Sequence, residues 1–152
     1  MMKKLYDIYL KKALDKDPLI LNENNNINWW KNKGFIGLNL DLEKIKDLKK
    51  IFIQNKIQIL IVPINYRDNK SISYEDAQRI ANENFLKTKI KLGENRFGEI
   101  KDGVESPIWY PFLADDYVLQ EEGYTPGYWG CYVDKLSGKI LDKKTIMFYE
   151  FL

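Results

Sequence analysis

Histidine is absent from this 152-residue chain, and cysteine occurs once, as Cys131. Without histidine, the chain lacks the side chain most often used for proton transfer near neutral pH, and it cannot build a Ser-His-Asp or Cys-His nucleophile system by itself. Zinc sites with histidine ligands are excluded, and a single cysteine excludes both an internal disulfide and a cluster of cysteine ligands. These absences favour binding over catalysis, so we expect no enzymatic activity, no metal and no cofactor.

Arginine is also scarce. Only three of the 24 basic residues are arginines, namely Arg67, Arg79 and Arg96. Arginine is the side chain that forms bidentate hydrogen bonds with phosphate and guanine. Because arginine is scarce and the net charge is only +2, we expect no nucleic-acid partner. No run approaches the roughly 18 apolar residues of a membrane span. Asp7 and Lys11 interrupt the N-terminal apolar stretch, which therefore does not resemble a secretory signal, and we expect a cytoplasmic chain without a membrane partner.

The first half of the chain shows mainly helical patterns. The spacing of Leu5, Ile8, Tyr9 and Ala13 predicts a short amphipathic helix over residues 3–15, and the asparagine-rich residues 22–28 suit a surface loop.

A second helix and a strand are predicted next. Asp41 is a candidate cap for a helix with Leu42, Ile45 and Phe52 on one face. Residues 57–64 form an apolar, β-branched run, which predicts a buried strand that ends near Pro63.

The clearest local signal is a helix start at Ser73. Asp76 follows three residues later, as in an acidic variant of the capping box, and Ala77, Ala81 and Phe85 then share one helical face. This pattern predicts a helix over residues 74–87.

Short strands separated by glycine and proline are predicted after residue 87. The best hairpin covers residues 130–141, where Gly138 supplies the positive φ that such turns often need. A last strand is predicted over residues 145–151. The expected architecture is α+β, with N-terminal helices and a curved antiparallel sheet in the C-terminal half, forming a single domain over residues 1–152.

Acidic and aromatic residues are concentrated between residues 94 and 134. This segment contains nine acidic residues and two basic ones, giving a net charge of −7, and nine of the 21 aromatic residues. Aromatic side chains form buried anchors at protein interfaces, and acidic side chains accelerate and orient the encounter with a basic partner. The composition therefore suits a protein-binding surface, although aromatic residues are also the ordinary filling of a small β-rich core.

The residues predicted to bind a partner lie in two loops, residues 113–117 and 120–124, and just after them. Both loops are expected to be exposed. The predicted partner-binding residues are Asp115, Asp116, Tyr117, Glu121, Glu122, Tyr124, Tyr128 and Trp129. The alternative is a small-ligand or peptide pocket on the sheet, lined by Trp109, Tyr110, Trp129 and Tyr132.

Catalytic interpretations of the same segment are weaker. Asp115 and Asp116 are sequence neighbours, and adjacency on a strand sends two side chains to opposite faces. No calcium-binding loop of the Asp-x-Asp-x-Asp-Gly type is present. Cys131 lies in a predicted strand without a histidine partner, which predicts a buried structural thiol.

Two segments carry a family resemblance, the helix ISYEDAQRIA at residues 72–81 and the hairpin WGCYVDKLSGKI at residues 129–140. Together they resemble the PepSY-type helix-plus-sheet unit, and they also resemble small immunity proteins of bacterial polymorphic toxin systems. The resemblance covers about residues 72–142 and implies a non-catalytic binding or inhibitory module. The resulting expectation is an immunity-type protein that occludes a partner toxin, and a nuclease partner would present a basic cleft to the acidic loops.

Overall fold

Helices and the strands of two antiparallel sheets make up the computed structural model, which describes residues 4–12 and 34–152. The contacts divide the chain into two units. The first contains the described residues up to Asn69 together with Ile146–Leu152, and the second contains Lys70–Thr145. The predicted α+β class is confirmed, but the helices are not all N-terminal. The single domain predicted over residues 1–152 stays a prediction, and the loop predicted at residues 22–28 lies outside the described residues.

The first unit is built on a three-stranded sheet in which β1 (Tyr6–Leu10) lies between β2 (Gly34–Leu40) and β3 (Ile59–Pro63). Helix α1 (Leu42–Gln54) joins β2 to β3, and the short α2 (Asn65–Asp68) follows β3. The buried cluster contains side chains of β1, α1 and β3, namely Tyr6, Ile8, Leu10, Ile45, Phe52, Ile59 and Ile61. Asp41 caps α1 as predicted, because its Oδ1 accepts the amide of Lys44 at 2.9 Å.

The helix predicted over residues 3–15 is wrong, because residues 6–10 form the central strand β1. Tyr6, Ile8 and Leu10 alternate into the buried cluster, which is the period of a strand and not of the predicted helix. The side chain of Asp7, between them, is also fully buried. Its carboxylate accepts the amides of Leu38 and Asn39 at 2.8 and 3.1 Å, and it forms a 2.8 Å ion pair with Arg67.

The Arg67 guanidinium lies directly over Gly37 of β2. A Cβ atom at Gly37 would come within 2.5 Å of Arg67 Nη1, so the absence of a side chain there gives the guanidinium its position. Arg67 also bonds the side chains of Asn39 and Asp68, each at 2.9 Å. The buried Asp7 carboxylate is thereby paired and hydrogen-bonded, as a charge inside a protein requires.

The second unit is a four-stranded antiparallel sheet covered on one face by a long helix. Its elements are α3 (Tyr74–Leu92), a 3₁₀ turn (Glu94–Arg96), β4 (Phe97–Asp102), β5 (Trp109–Asp116), α4 (Tyr117–Glu121), β6 (Tyr128–Asp134) and β7 (Ile140–Leu141). The strands follow chain order, β4-β5-β6-β7. Ser73 caps α3 as predicted, since its Oγ accepts the amide of Asp76 at 3.1 Å. The predicted hairpin is also present, with Gly138 at φ 73° in the turn.

The inner face of this sheet packs against α3. The buried cluster on this face contains three α3 residues and five from the strands, namely Ala77, Ala81, Phe85, Phe97, Phe112, Ala114, Cys131 and Val133. Because side chains alternate along a strand, the intervening residues of β5 and β6 lie on the outer face.

The strand predicted over residues 145–151 is wrong, because residues 143–150 form α5 (Lys143–Glu150). The β-branched and aromatic side chains of this segment favoured a strand. The helix instead starts from a side-chain cap, in which Asp142 Oδ1 accepts the amide of Thr145 at 2.8 Å. Among residues 4–12 and 34–152, none of the helices is long and apolar enough to cross a bilayer.

Candidate functional site

The residues predicted to bind a partner lie where β5 ends and β6 begins. Residues 113–117 were predicted as an exposed loop, and this is wrong, because β5 continues to Asp116 and α4 begins at the next residue. Residues 120–124 contain the end of α4 and the turn that follows it, with Glu121, Glu122 and Tyr124 exposed.

Asp116 is not part of an exposed surface, which corrects its predicted role. Its side chain is fully buried and accepts hydrogen bonds from Trp129 Nε1 at 2.7 Å and from Arg96 Nε at 3.1 Å. It also caps α4, since Oδ1 accepts the amides of Val118 and Leu119 at 3.0 and 3.1 Å. Burial alone would raise the pKa of Asp116, but the hydrogen bonds from Trp129, the Leu119 amide and Arg96 outweigh it and lower the pKa. Asp116 therefore positions the surrounding elements.

Asp115 points to the outer face of the sheet, opposite to Asp116. Its Oδ2 forms a 2.7 Å ion pair with Lys101 of β4, and this hydrogen bond raises the pKa of Lys101. The two cations between residues 94 and 134, Arg96 and Lys101, thus each pair with one of the two adjacent aspartates. The net negative charge of this segment therefore comes from its other acidic residues, which include Glu121 and Glu122.

Exposed aromatic rings flank Asp115 on the outer face. Tyr128 is the cross-strand neighbour of Asp115 on β6 and is 41% exposed. Tyr117 is 50% exposed, and its hydroxyl lies over Gly98 of β4, where a Cβ atom would come within 2.8 Å of it. The Tyr117 ring over β4, Asp115 on β5 and Tyr128 on β6 therefore lie side by side.

Two more of the predicted aromatic residues are exposed. Tyr124 follows α4, its amide bonds the carbonyl of Leu119 at 2.9 Å, and it is 60% exposed. Trp129 is 38% exposed, but its register opposite Ala114 places it on the inner face, where its indole bonds Asp116. We call the set Asp115, Tyr117, Glu121, Glu122, Tyr124 and Tyr128 the outer surface.

The four residues of the alternative pocket do not line one cavity. Trp109 and Tyr110 are adjacent on β5 and lie on opposite faces, and Trp129 and Tyr132 are separated by three positions on β6, so they also lie on opposite faces. Trp109 and Tyr132 meet edge to face, with ring centroids 6.0 Å apart. A cavity of about 280 Å³ exists at the β4–β5 connection, and its lining includes Trp109 and Tyr110 but not Trp129 or Tyr132.

Several residues of these sites were not predicted, namely Arg96, Lys101, Tyr74, Asp102, Glu105 and Lys135. The rarity of arginine was a usable signal, because two of the three arginines, Arg67 and Arg96, pair with the buried aspartates Asp7 and Asp116.

Within the described part of the chain, no group of three or more carboxylate or cysteine side chains is arranged to hold a metal ion. Comparison of the chain with protein-family models, curated proteins and solved structures gives no match.

Cys131 is expected to be unreactive in the folded protein. It is buried on the inner face, and burial raises the pKa of its thiol to about 11, although a hydrogen bond with Asn84 acts in the opposite direction. At pH 8, only about a thousandth of such thiols is ionised, and the thiolate is the reactive form. A thiol-specific disulfide reagent should label the native chain at least about 100-fold more slowly than the chain in denaturant. Equal rates would show that Cys131 is accessible.

Proposed function

We propose that the chain is a non-catalytic, immunity-type protein that binds and neutralises a partner toxin through the outer surface. The observation that carries the proposal is the row formed by Tyr117, Asp115 and Tyr128 on the four-stranded sheet. Exposed tyrosines provide large contact area at low cost in side-chain entropy, and they are enriched among the residues that dominate interface energies.

The charge of the surface indicates the chemistry of the partner. Glu121 and Glu122 are exposed beside Tyr124, and no cation of the segment from residue 94 to 134 pairs with either in the described structure. A basic surface would be attracted to these carboxylates, and its lysine or arginine side chains could lie over the tyrosine rings. A toxin with a basic substrate cleft fits this chemistry, and occupation of that cleft would exclude its substrate.

The proposal predicts a large toxin gene adjacent to the gene for this chain, and it is tested with the product of that gene. Co-expression should restore growth, and the two purified proteins should form a complex. Replacing Glu121 and Glu122 by lysine should slow association at least about tenfold at low salt, because charges at an interface rim act mainly on the association rate. Tyr124→Ala and Tyr128→Ala should each weaken the complex about tenfold or more, mainly through faster dissociation.

A matched control carries the same change of charge in the first unit. Asp47→Lys with Glu150→Lys alters two exposed carboxylates on α1 and α5, and it should leave the association rate within about twofold. Equal slowing by both double variants, or unchanged affinity in both tyrosine variants while they remain folded, would contradict the outer surface as the interface. Reversal of Asp116 is unsuitable here, because it would disrupt the fold instead of the surface.

A further inference from the structure

The cavity at the β4–β5 connection lies entirely within the second unit. Its volume is about 280 Å³, near the lower end of the range of about 300–1,000 Å³ for ligand sites. It therefore suits a molecule the size of an amino acid better than a nucleotide. The residues that define its chemistry are Tyr74, Asp102, Glu105, Trp109, Tyr110 and Lys135.

A half-buried ammonium group forms the positive part of the lining. Lys135 directly follows β6, and its Nζ lies 5.0 Å from the centroid of the Tyr110 ring. Burial lowers the pKa of Lys135, and the charge of Glu105 only partly compensates. A partly desolvated ammonium gains from an anionic partner, so a carboxylate in the cavity would be stabilised at this position.

Carboxylates form the negative part. Asp102, the last residue of β4, is exposed, and its Oδ1 accepts the hydroxyl of Tyr74 at 2.6 Å. This bond leaves Oδ2 facing a different direction as a second acceptor. Glu105, also exposed, belongs to the same lining. The Asp102 carboxylate would therefore attract an ammonium ion.

Aromatic rings supply the apolar part of the lining. Two contacts fix the Tyr110 side chain. Its hydroxyl donates to the carbonyl of Ile72 at 2.8 Å, and its ring packs edge to face against the Tyr74 ring with centroids 5.9 Å apart. Trp109 is largely buried and packs against Tyr132. The Tyr110 ring, held in this way, is a preorganised apolar part of the lining.

From the combination of these three parts, we propose that the cavity binds a free α-amino acid with an apolar or aromatic side chain. A simple anion would face Asp102 and Glu105, and a simple cation would face Lys135. A zwitterion satisfies both, since its carboxylate pairs with Lys135, its ammonium group pairs with Asp102, and its side chain packs on Tyr110. This site is separate from the outer surface and does not depend on the proposed function.

The test is a titration of the full chain with L-phenylalanine, followed by NMR shifts of the Tyr110 and Lys135 amides and by calorimetry. A ligand of this size is expected to bind with a dissociation constant of about 1 mM. Two analogues that each lack one charge, 3-phenylpropionate and phenethylamine, should bind at least about tenfold more weakly. This comparison uses the unaltered protein, so it stays decisive if a variant fails to fold.

Variants identify the site. Lys135→Met retains most of the side-chain length and should weaken phenylalanine binding about tenfold or more, whereas Lys139→Met, at an exposed lysine in the same hairpin, should have no effect. Equal binding of all three probes, equal effects of the two lysine variants, or no shift at about 20 mM phenylalanine would overturn the proposal. Loss of toxin binding would not affect any of these results.

Discussion

Replacing Asp116 by alanine is expected to lower the free energy of unfolding by about 3 kcal/mol. The substitution removes the acceptor of four hydrogen bonds, from Trp129, Arg96 and the amides of Val118 and Leu119. It also leaves a guanidinium without its buried partner. Because Arg96 is 23% exposed and can turn towards water, we expect the lower end of the range of about 3–5 kcal/mol for broken buried ion pairs.

The neighbouring carboxylate is a matched control for this prediction. Asp115 is also in an ion pair, but with a lysine that is 62% exposed, so Asp115→Ala should cost less than about 1 kcal/mol. Urea unfolding of both variants, followed by the tryptophan fluorescence of the chain, measures the difference. Equal losses would show that the buried Asp116 network contributes no more than an exposed ion pair.

The same network has a defined pH dependence. The folded-state pKa of Asp116 is lowered, so its ionised form contributes stability that is fully present above about pH 5 and is lost as the pH falls below the unfolded value of about 3.9. The difference in the free energy of unfolding between the wild-type chain and Asp116→Ala should therefore be smaller at pH 3 than at pH 7. A difference that is constant between pH 7 and pH 3 would contradict an ionised Asp116.

Asp7→Ala should destabilise the first unit by a similar amount, about 3 kcal/mol. Asp7 is fully buried in the central strand. Its loss would leave the amides of Leu38 and Asn39 without their acceptor and the Arg67 guanidinium without its buried ion-pair partner. Asn39 has φ 51°, a conformation that costs free energy for a residue with a side chain. The hydrogen bond that its backbone amide donates to Asp7 therefore helps to hold a strained position.

Asp68→Ala is the control for Asp7, because Asp68 bonds the same guanidinium at 2.9 Å while remaining 53% exposed. Its loss should cost less than about 1 kcal/mol. Amide hydrogen exchange can locate both effects, and Asp7→Ala should accelerate exchange of the β1, β2 and β3 amides. Unchanged protection of these strands in Asp7→Ala would show that the carboxylate is dispensable.

Local signals predicted part of the fold correctly. The caps at Asp41 and Ser73 and the turn at Gly138 act through contacts within a few residues, so their patterns are visible in the sequence. Strand β1 was missed for a different reason, because Asp7 depends on Arg67, which lies 60 positions away. No local pattern distinguishes a buried, paired aspartate from an exposed one.

In the candidate site too, some features could be predicted from the sequence, whereas others depend on contacts between distant residues. Tyr117, Tyr124 and Tyr128 were predicted from composition and are exposed, whereas Asp116 was predicted as part of the surface and lies under it. Its burial depends on Arg96 and Trp129, which reach it from a different turn and a different strand. The β4–β5 cavity was missed because Tyr74, Asp102 and Lys135 meet only after α3, β4 and β6 have assembled.

The division between a buried support and an exposed surface has an evolutionary consequence. The outer surface is supported from below by Asp116 and by backbone hydrogen bonds, so exchange of Glu121, Glu122, Tyr124 or Tyr128 would leave that support intact. Under the proposed function, these positions are free to diversify with a changing partner, whereas Asp116, Arg96 and Gly98 are not. Sequence variation among descendants of this chain should then be highest at the exposed positions and lowest beneath them.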